Sequence, residues 1–388
     1  MNTEFIKRCW LEVDLDAIEY NYRLLKERNG GVDMLGIVKA DAYGMGAIAV
    51  SKKLESLGVR YLAVADLDEA LQLRNAKIKA PILILGYVQP EYTEYLINNN
   101  ITASVPTEET AAAYSAEAQR VGKSLRVHLK LDSGMGRLGF RVSDPERKRS
   151  LEEIGRIIAL PGLDWEGVFM HFAVSDMEGA ENDEYTRKQF ADFTETVRET
   201  EKLLGKPFAL KHCSNSGAST RFPEFALDMI RPGIALYGFD SFCPEVELKR
   251  CIKFKAVLGP IKEYEEGSSV SYGRLFTNRR RARIAVIPAG YADGLQRGLT
   301  GQLSVMTKYG PAPVVGRICM DMCMLDVTEL PEIKTGDEVE IYGDYNSVRS
   351  IADRVGTITH VISCAISDRV PRVYLEDGKI TSIRTFRA

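Results

Sequence analysis

Eight times between residues 33 and 233 a short apolar run gives way to an amphipathic helical pattern, and that alternation most limits what this chain can fold into. The runs are "DMLGIV", "YLAVA", "PILILG", "ITASV", "LRVHLKLD", "WEGVFMHF", "FALKHCS" and "LDMIRPG". Between them lie segments such as "IAVSKKLESLG", "LDEALQLRNA", "TEETAAAYSAEAQRVG" and "NDEYTRKQFADFTETVRETEKLLG", with apolar residues three and four apart and glycine stops. Near-continuous apolar runs without an exposed face suit strands buried on both sides, as in a parallel sheet. Eight strand-then-helix units within about 240 residues predict a closed (β/α)8 barrel with its site at the C-terminal ends of the strands. An open doubly wound sheet is the alternative.

Ahead of the barrel stand a strand-like "WLEVDL" and the helix "DAIEYNYRLLKERNGG". Beyond Asp240 the texture changes to short β-branched runs punctuated by glycine, proline and asparagine, which reads as a mainly β domain. The predicted division is therefore a barrel over residues 1–240 and a β domain over 241–388, joined through "GFDSFCPEVELKR". The first 12 or so residues could join the β domain.

A chain of 388 residues with 45% hydrophobic side chains can bury a large core. Its net charge of −3 provides no basic stripe for nucleic acid or an anionic membrane. The N-terminus "MNTEFIKRCWLEVD" has no apolar signal core and no run is long enough to span a bilayer, so a cytoplasmic location is expected. The seven cysteines are dispersed, which suits reduced thiols. The pair in "CMDMC" lacks zinc-site spacing and no metal is expected.

Lys39 ends the apolar run of "MLGIVKADAYGMGA" and so sits at a strand mouth. It reads either as a lysine snorkelling to solvent or as an amine in a dry pocket, poised to form an imine with a carbonyl cofactor. Lys130 and Arg137 of "KLDSGMGR", His171 of "MHF", the "HCSNSG" cluster and Arg231 of "RPG" also fall at strand ends and would converge on one mouth. His171 alone would pass for a core residue. The turn after the eighth strand offers the Gly233 and Ile234 amides to an anion, and Ser216 and Tyr43 could add hydroxyls. A lysine, an anion cradle and an arginine around a ring-sized space point to pyridoxal 5'-phosphate.

The blocks "VKADAYG", "KLDSGMGRLGF", "HFA", "SNSG", "RPGIALYG", "VSYG", "GYADG", "VVGRICMD" and "RVPRVY" follow in an order that resembles the alanine racemases, barrel-type pyridoxal-phosphate isomerases. The resemblance spans nearly the whole chain. It implies that Lys39 holds the cofactor and serves as one catalytic base, with Tyr272 as the other. It also implies that Arg231 faces the pyridine nitrogen, that His212 links Arg231 to Tyr272, and that His171 lies beside the ring. Tyr43, Asn215, Ser216, Gly233 and Ile234 would hold the cofactor, and Arg137 with the backbone at Met320 would bind the substrate carboxylate or the cofactor's phenolic oxygen. Lys130 would orient Arg137, as a carbamate in many relatives, and Cys319 and Asp321 would be supporting residues of the site. A head-to-tail homodimer is implied, in which Tyr272 and Met320 act on the partner's barrel. By spacing alone, Tyr272 and Tyr291 read as surface aromatics of the second domain.

Two residues depart from the family pattern. Met45 stands where relatives usually have histidine, just outside the cofactor shell. Asp368 stands where they usually carry a tyrosine that touches the phosphate and narrows the substrate entrance. A buried carboxylate there would need protonation, a partner such as Arg369 or Arg372, or satisfaction by substrate. The expected activity is racemisation of alanine, with serine or a basic amino acid as the alternative substrate. A barrel-type decarboxylase is disfavoured because it needs an acidic residue in place of Arg231. A non-catalytic cofactor-binding barrel is disfavoured because it would lack the second domain.

Overall fold

A computed structural model describes residues 5–386. Eight parallel strands form the barrel: β2 (Asp33–Ile37), β3 (Tyr61–Val64), β4 (Ile82–Ile84), β5 (Ile101–Val105), β6 (Leu125–Asp132), β8 (Leu163–Phe169), β9 (Leu210–His212) and β10 (Met229–Ile230). A two-residue strand, β7 (Phe140–Arg141), pairs alongside β6. The ring closes where β10 pairs with β2 and where Asp228 N and Arg231 N donate to Lys211 O and Ser214 O beside β9. All eight apolar runs of the sequence supply one strand each. Strands β3, β4 and β5 are buried at every residue, which is why their sequences do not alternate.

The outer helices begin on side chains able to cap them. Asp14 accepts from the Asp16 and Ala17 amides at the head of α1 (Leu15–Arg28), and Asp66 and Thr107 cap the helices Leu67–Asn75 and Glu108–Val121. Gly122 and Gly205 end helices in the left-handed conformation that glycine adopts without a Cβ clash.

The second unit is a ten-stranded sheet, and β1 (Cys9–Asp14) is one of its inner strands. It runs antiparallel to β11 (Ile252–Val257) and parallel to β20 (Arg372–Glu376), so the chain starts in the second sheet before α1 carries it into the barrel. Beyond β11 lie β19 (Glu338–Tyr342), β16 (Ser304–Thr307), β17 (Gly310–Val315), β18 (Cys323–Asp326), β15 (Ala282–Ile287) and β12 (Ile261–Tyr264); β21 (Lys379–Arg384) flanks β20. One continuous buried core joins this sheet to the barrel.

Candidate active site

A cavity of about 570 Å³ opens at the C-terminal ends of the barrel strands, a volume typical of small-molecule sites. Lys39, Tyr43, Lys130, Arg137, His171, Asn215, Ser216, Arg231, Gly233 and Ile234 all line it. They arrive from separate strand ends, as a barrel site requires.

Lys39 opens an unusual turn. Ala40, Asp41, Ala42 and Tyr43 all have φ between 52° and 56°, a left-handed run without a glycine. Such backbone costs about 1–2 kcal/mol per residue and persists only where its surroundings hold it. Here the Ala40 amide donates to Glu69 at 2.6 Å, while the Asp41 carboxylate accepts from Ala47 N and Arg384 Nη1, each at 2.8 Å. Burial and the charge of Arg137 lower the Lys39 pKa, so more of its amine is free to act as a nucleophile.

Lys130 is buried and its amine is pushed down to about 7, by desolvation first and by Arg231 and Arg137 against the pull of Asp132. Asp132 grips the following turn, accepting from the amides of Gly134, Met135, Gly136 and Arg137. That grip fixes the backbone from which Arg137 projects.

Arg231 is buried at 3% exposure, and both of its terminal nitrogens are committed. Nη1 donates to His212 O at 2.8 Å and His212 Nδ1 at 3.0 Å, and Nη2 to Met170 O at 2.7 Å and Cys213 O at 3.1 Å. Burial pushes its pKa down to about 10, still well above neutrality. His171 Nδ1 lies 3.4 Å from Nη2, and burial beside Arg231 keeps that imidazole neutral at pH 7.

Ser216, Gly233 and Tyr43 meet along another part of the cavity wall. Ser216 Oγ accepts from Gly233 N at 2.9 Å and Ala235 N at 3.3 Å, while Asn215 caps the next helical turn and accepts from Ser175. A Cβ on Gly233 would lie 2.4 Å from the Tyr43 hydroxyl, so only glycine lets the phenol reach this loop. Burial raises the Tyr43 pKa, and the phenol keeps its proton as a donor. With hydroxyls, amides and four basic side chains around one cavity, the residues present fit pyridoxal phosphate.

Other expected site residues lie elsewhere. Tyr272 and Met320 are 71% and 52% exposed on the β domain, outside the cavity. Ser271, just before Tyr272, has φ 69° and ψ −178°, a region almost reserved for glycine, and its hydroxyl donates to Arg317 O. Cys319 lies 3.5 Å from that hydroxyl, and Asp321 pairs with Arg369 at 2.9 Å. A Cβ on Gly290 would come within 2.3 Å of Cys319 O, so this glycine lets the Met320 loop pack closely.

Two expectations are corrected. His212 does not link Arg231 to Tyr272: it is fully buried, and both ring nitrogens are engaged, Nδ1 by Arg231 and Nε2 by His128 at 2.9 Å. Asp368 is not buried and pairs with neither Arg369 nor Arg372. Its side chain is 78% exposed and meets Arg384 at 3.3 Å, while Arg369 is held bidentately by Asp293 and Arg372 by backbone carbonyls. Asp368 also lies outside the cavity lining.

The cavity holds residues that sequence reasoning missed. Phe169 lies in its wall, stacked on His212 at 5.0 Å with Arg231 above its ring at 5.4 Å. His360, from the second domain, places its ring 5.5 Å from that of Tyr43. The one available signal for it was its rarity, since the chain has only four histidines.

A closed barrel with a desolvated lysine, backbone amides, hydroxyls and two arginines at its C-terminal mouth defines a barrel enzyme that works with a small anionic ligand bearing a carbonyl. The sequence matches the family models described as alanine racemase, N-terminal domain, over residues 13–241 and alanine racemase, C-terminal domain, over residues 251–374. The chain belongs to the alanine racemase family. It is 40% identical over 389 residues to alanine racemase 2 of Caldanaerobacter subterraneus subsp. tengcongensis, covering 98% of each. Among solved structures it resembles the alanine racemase of Clostridium difficile 630 (TM-score 0.91, 36% identity, 99% of this chain and 100% of that one). It also resembles that of Bartonella henselae, which carries covalently bound pyridoxal phosphate (TM-score 0.84, 28% identity, 95% of this chain and 99% of that one).

Proposed function

We propose that this chain is a pyridoxal-phosphate-dependent racemase interconverting L- and D-alanine by a two-base mechanism. The observation that carries the proposal is Lys39, desolvated on a strained turn, sharing one cavity with an anion cradle, Arg231 and Arg137. When bound, the cofactor condenses with an amine and draws into its ring the electron pair left by the departing α-proton. Lys39 takes or returns that proton on one face, and Tyr272 does so on the other. Two bases are needed because a single group reaches only one face of the α-carbon. Tyr43, Asn215, Ser216, Gly233 and Ile234 bind the phosphate, and Arg137 with the Met320 backbone binds the substrate carboxylate.

Arg231 sets the electronic limit. A guanidinium gives up its proton reluctantly, so Arg231, facing the pyridine nitrogen of a bound cofactor, would act there as a donor and would leave that nitrogen unprotonated. That moderates electron withdrawal and favours return of the proton over side reactions, and it disfavours the decarboxylase reading. The near-neutral Lys130 amine has the free lone pair that carbamylation by carbon dioxide needs, and a carbamate there would orient Arg137.

Tyr272 and Met320 are exposed and do not line the cavity of their own chain, which supports a head-to-tail homodimer supplying them in trans. Leu275, Met322 and Tyr291 extend the exposed apolar surface around them. No helix among the described residues is long and apolar enough to cross a membrane. The seven unpaired cysteines, most of them buried, suit a reducing compartment, and we assign the protein to the cytoplasm.

The deciding experiment is incubation of the purified protein with a panel of L-amino acids followed by chiral chromatography. Alanine should give the racemate fastest, and no D-alanine from cofactor-loaded protein would overturn the proposal. Asp368 makes a second expectation. As an exposed residue paired with Arg384, it neither narrows the cavity nor donates to the phosphate as a tyrosine would. Asp368→Tyr should therefore lower the kcat/KM of serine relative to alanine about 3- to 10-fold, the scale at which a pocket discriminates small groups. An unchanged ratio would remove this position from substrate selection.

A further inference from the structure

Beneath the cavity, a chain of hydrogen bonds leads away from Arg231 into the barrel. His212 Nδ1 accepts from Arg231, His212 Nε2 lies 2.9 Å from His128 Nδ1, and His128 Nε2 lies 3.1 Å from Glu166 Oε2. The Tyr61 hydroxyl donates to the same oxygen at 2.5 Å, and Arg126 Nε approaches the other at 3.7 Å. Both imidazoles are fully buried.

The two ends dictate every proton between them. A guanidinium can only donate and an ionised carboxylate can only accept. His212 must then carry its proton on Nε2 and donate to His128, which in turn carries its own on Nε2 and donates to Glu166. Burial lowers both histidine pKa values, in keeping with neutral rings. Glu166 is held below the usual carboxylate range against its burial by bonds from His128 and Tyr61.

The barrel is shaped around this chain. A Cβ on Gly167 would lie 2.7–2.8 Å from three atoms of the His128 ring, so the neighbouring strand leaves out a side chain to admit it. The β6–β8 pairing shifts register between Val127 and His128. Phe169 stacks on His212 with only 3° between the planes. Arg231 forms no ion pair with a carboxylate among the described residues, its other bonds going to backbone carbonyls and the more distant His171.

We propose that Glu166 is the counter-charge of Arg231, delivered through His128 and His212, and that Glu166 and His128 are positioning residues fixing the direction of Arg231's hydrogen bonds. Its kinetic consequence rests on the racemase reading above, but the order of protons does not.

Four histidines make the order directly readable in holoenzyme labelled with ¹⁵N-histidine. His128 and His212 should both be neutral Nε2–H tautomers from about pH 6 to 9. Glu166→Gln removes the end that can only accept, and should move the His128 shifts toward the tautomer mean. Gly167→Ala should disturb both rings without altering any polar group. Glu166→Gln should lower kcat about tenfold with KM within twofold, and should add nothing to Arg231→Lys, whereas a merely structural loss would add in full. A His212 proton on Nδ1, unchanged histidine shifts in Glu166→Gln, or additive losses would overturn the proposal. If no variant or wild type racemises any amino acid, the nitrogen shifts still decide it.

Discussion

Lys39→Ala abolishes racemisation, with a loss of at least about 10⁴-fold, because one substitution removes both the covalent anchor and one of the two bases. Burial and the neighbouring Arg137 depress the Lys39 pKa and leave its amine free to react. Lys130, the other lysine of the cavity, has its Nζ turned to the Leu131 carbonyl at 2.6 Å. Borohydride treatment of the yellow wild-type protein followed by peptide mapping should leave the cofactor's mass on Lys39 alone. A label on Lys130, or a chromophore that survives Lys39→Ala with unaltered stability to dialysis, would overturn the assignment. The anion cradle is intact in the variant, so it should still bind the cofactor reversibly.

The barrel was legible because its physics is repetitive. A strand buried on both faces must be apolar throughout, and "YLAVA", "ILI" and "ITASV" carry that demand openly. The mouth was legible too, since a polar residue that ends such a run has nowhere to go but the strand's end. The turn at residues 40–43 was not. Alanine, aspartate, alanine and tyrosine favour right-handed backbone, and only tertiary anchors, Glu69 to Ala40 and Arg384 to Asp41, hold them left-handed.

Interior function hid for a different reason. His128 in "LRVHLKLD" and Phe169 in "WEGVFMHF" stand in runs that any barrel core would accept. Their roles depend on the register of β6 against β8 and on the space above Gly167, neither of which leaves a trace along one strand. The resemblance assigns His212 a link to Tyr272, yet its second bond runs inward to His128. Asp368 misled by position: its side chain is 78% exposed and pairs with Arg384 at the surface.

Tyr272 is where one chain alone explains least, and Tyr272→Phe is the sharper test of the assembly. The phenol is 71% exposed behind the strained Ser271, whose backbone is held in place by its hydroxyl's bond to the Arg317 carbonyl. Strain of this kind points to a residue presented to something else. Removing the hydroxyl should cut racemisation about 10²- to 10⁴-fold while leaving the cofactor's spectrum intact, since Lys39 is untouched. Complementation then locates the tyrosine. Mixing inactive Lys39→Ala and Tyr272→Phe subunits in equal amounts makes half the dimers mixed. If Tyr272 acts across the interface, each mixed dimer pairs Lys39 of one subunit with Tyr272 of the other and holds one whole site. Recovered activity should then approach about one quarter of wild type. If Tyr272 instead serves its own barrel, every site in every dimer lacks one base and nothing returns. A mixture that stays inactive after verified subunit exchange would therefore rule out action in trans, and with it the explanation for the exposed tyrosine.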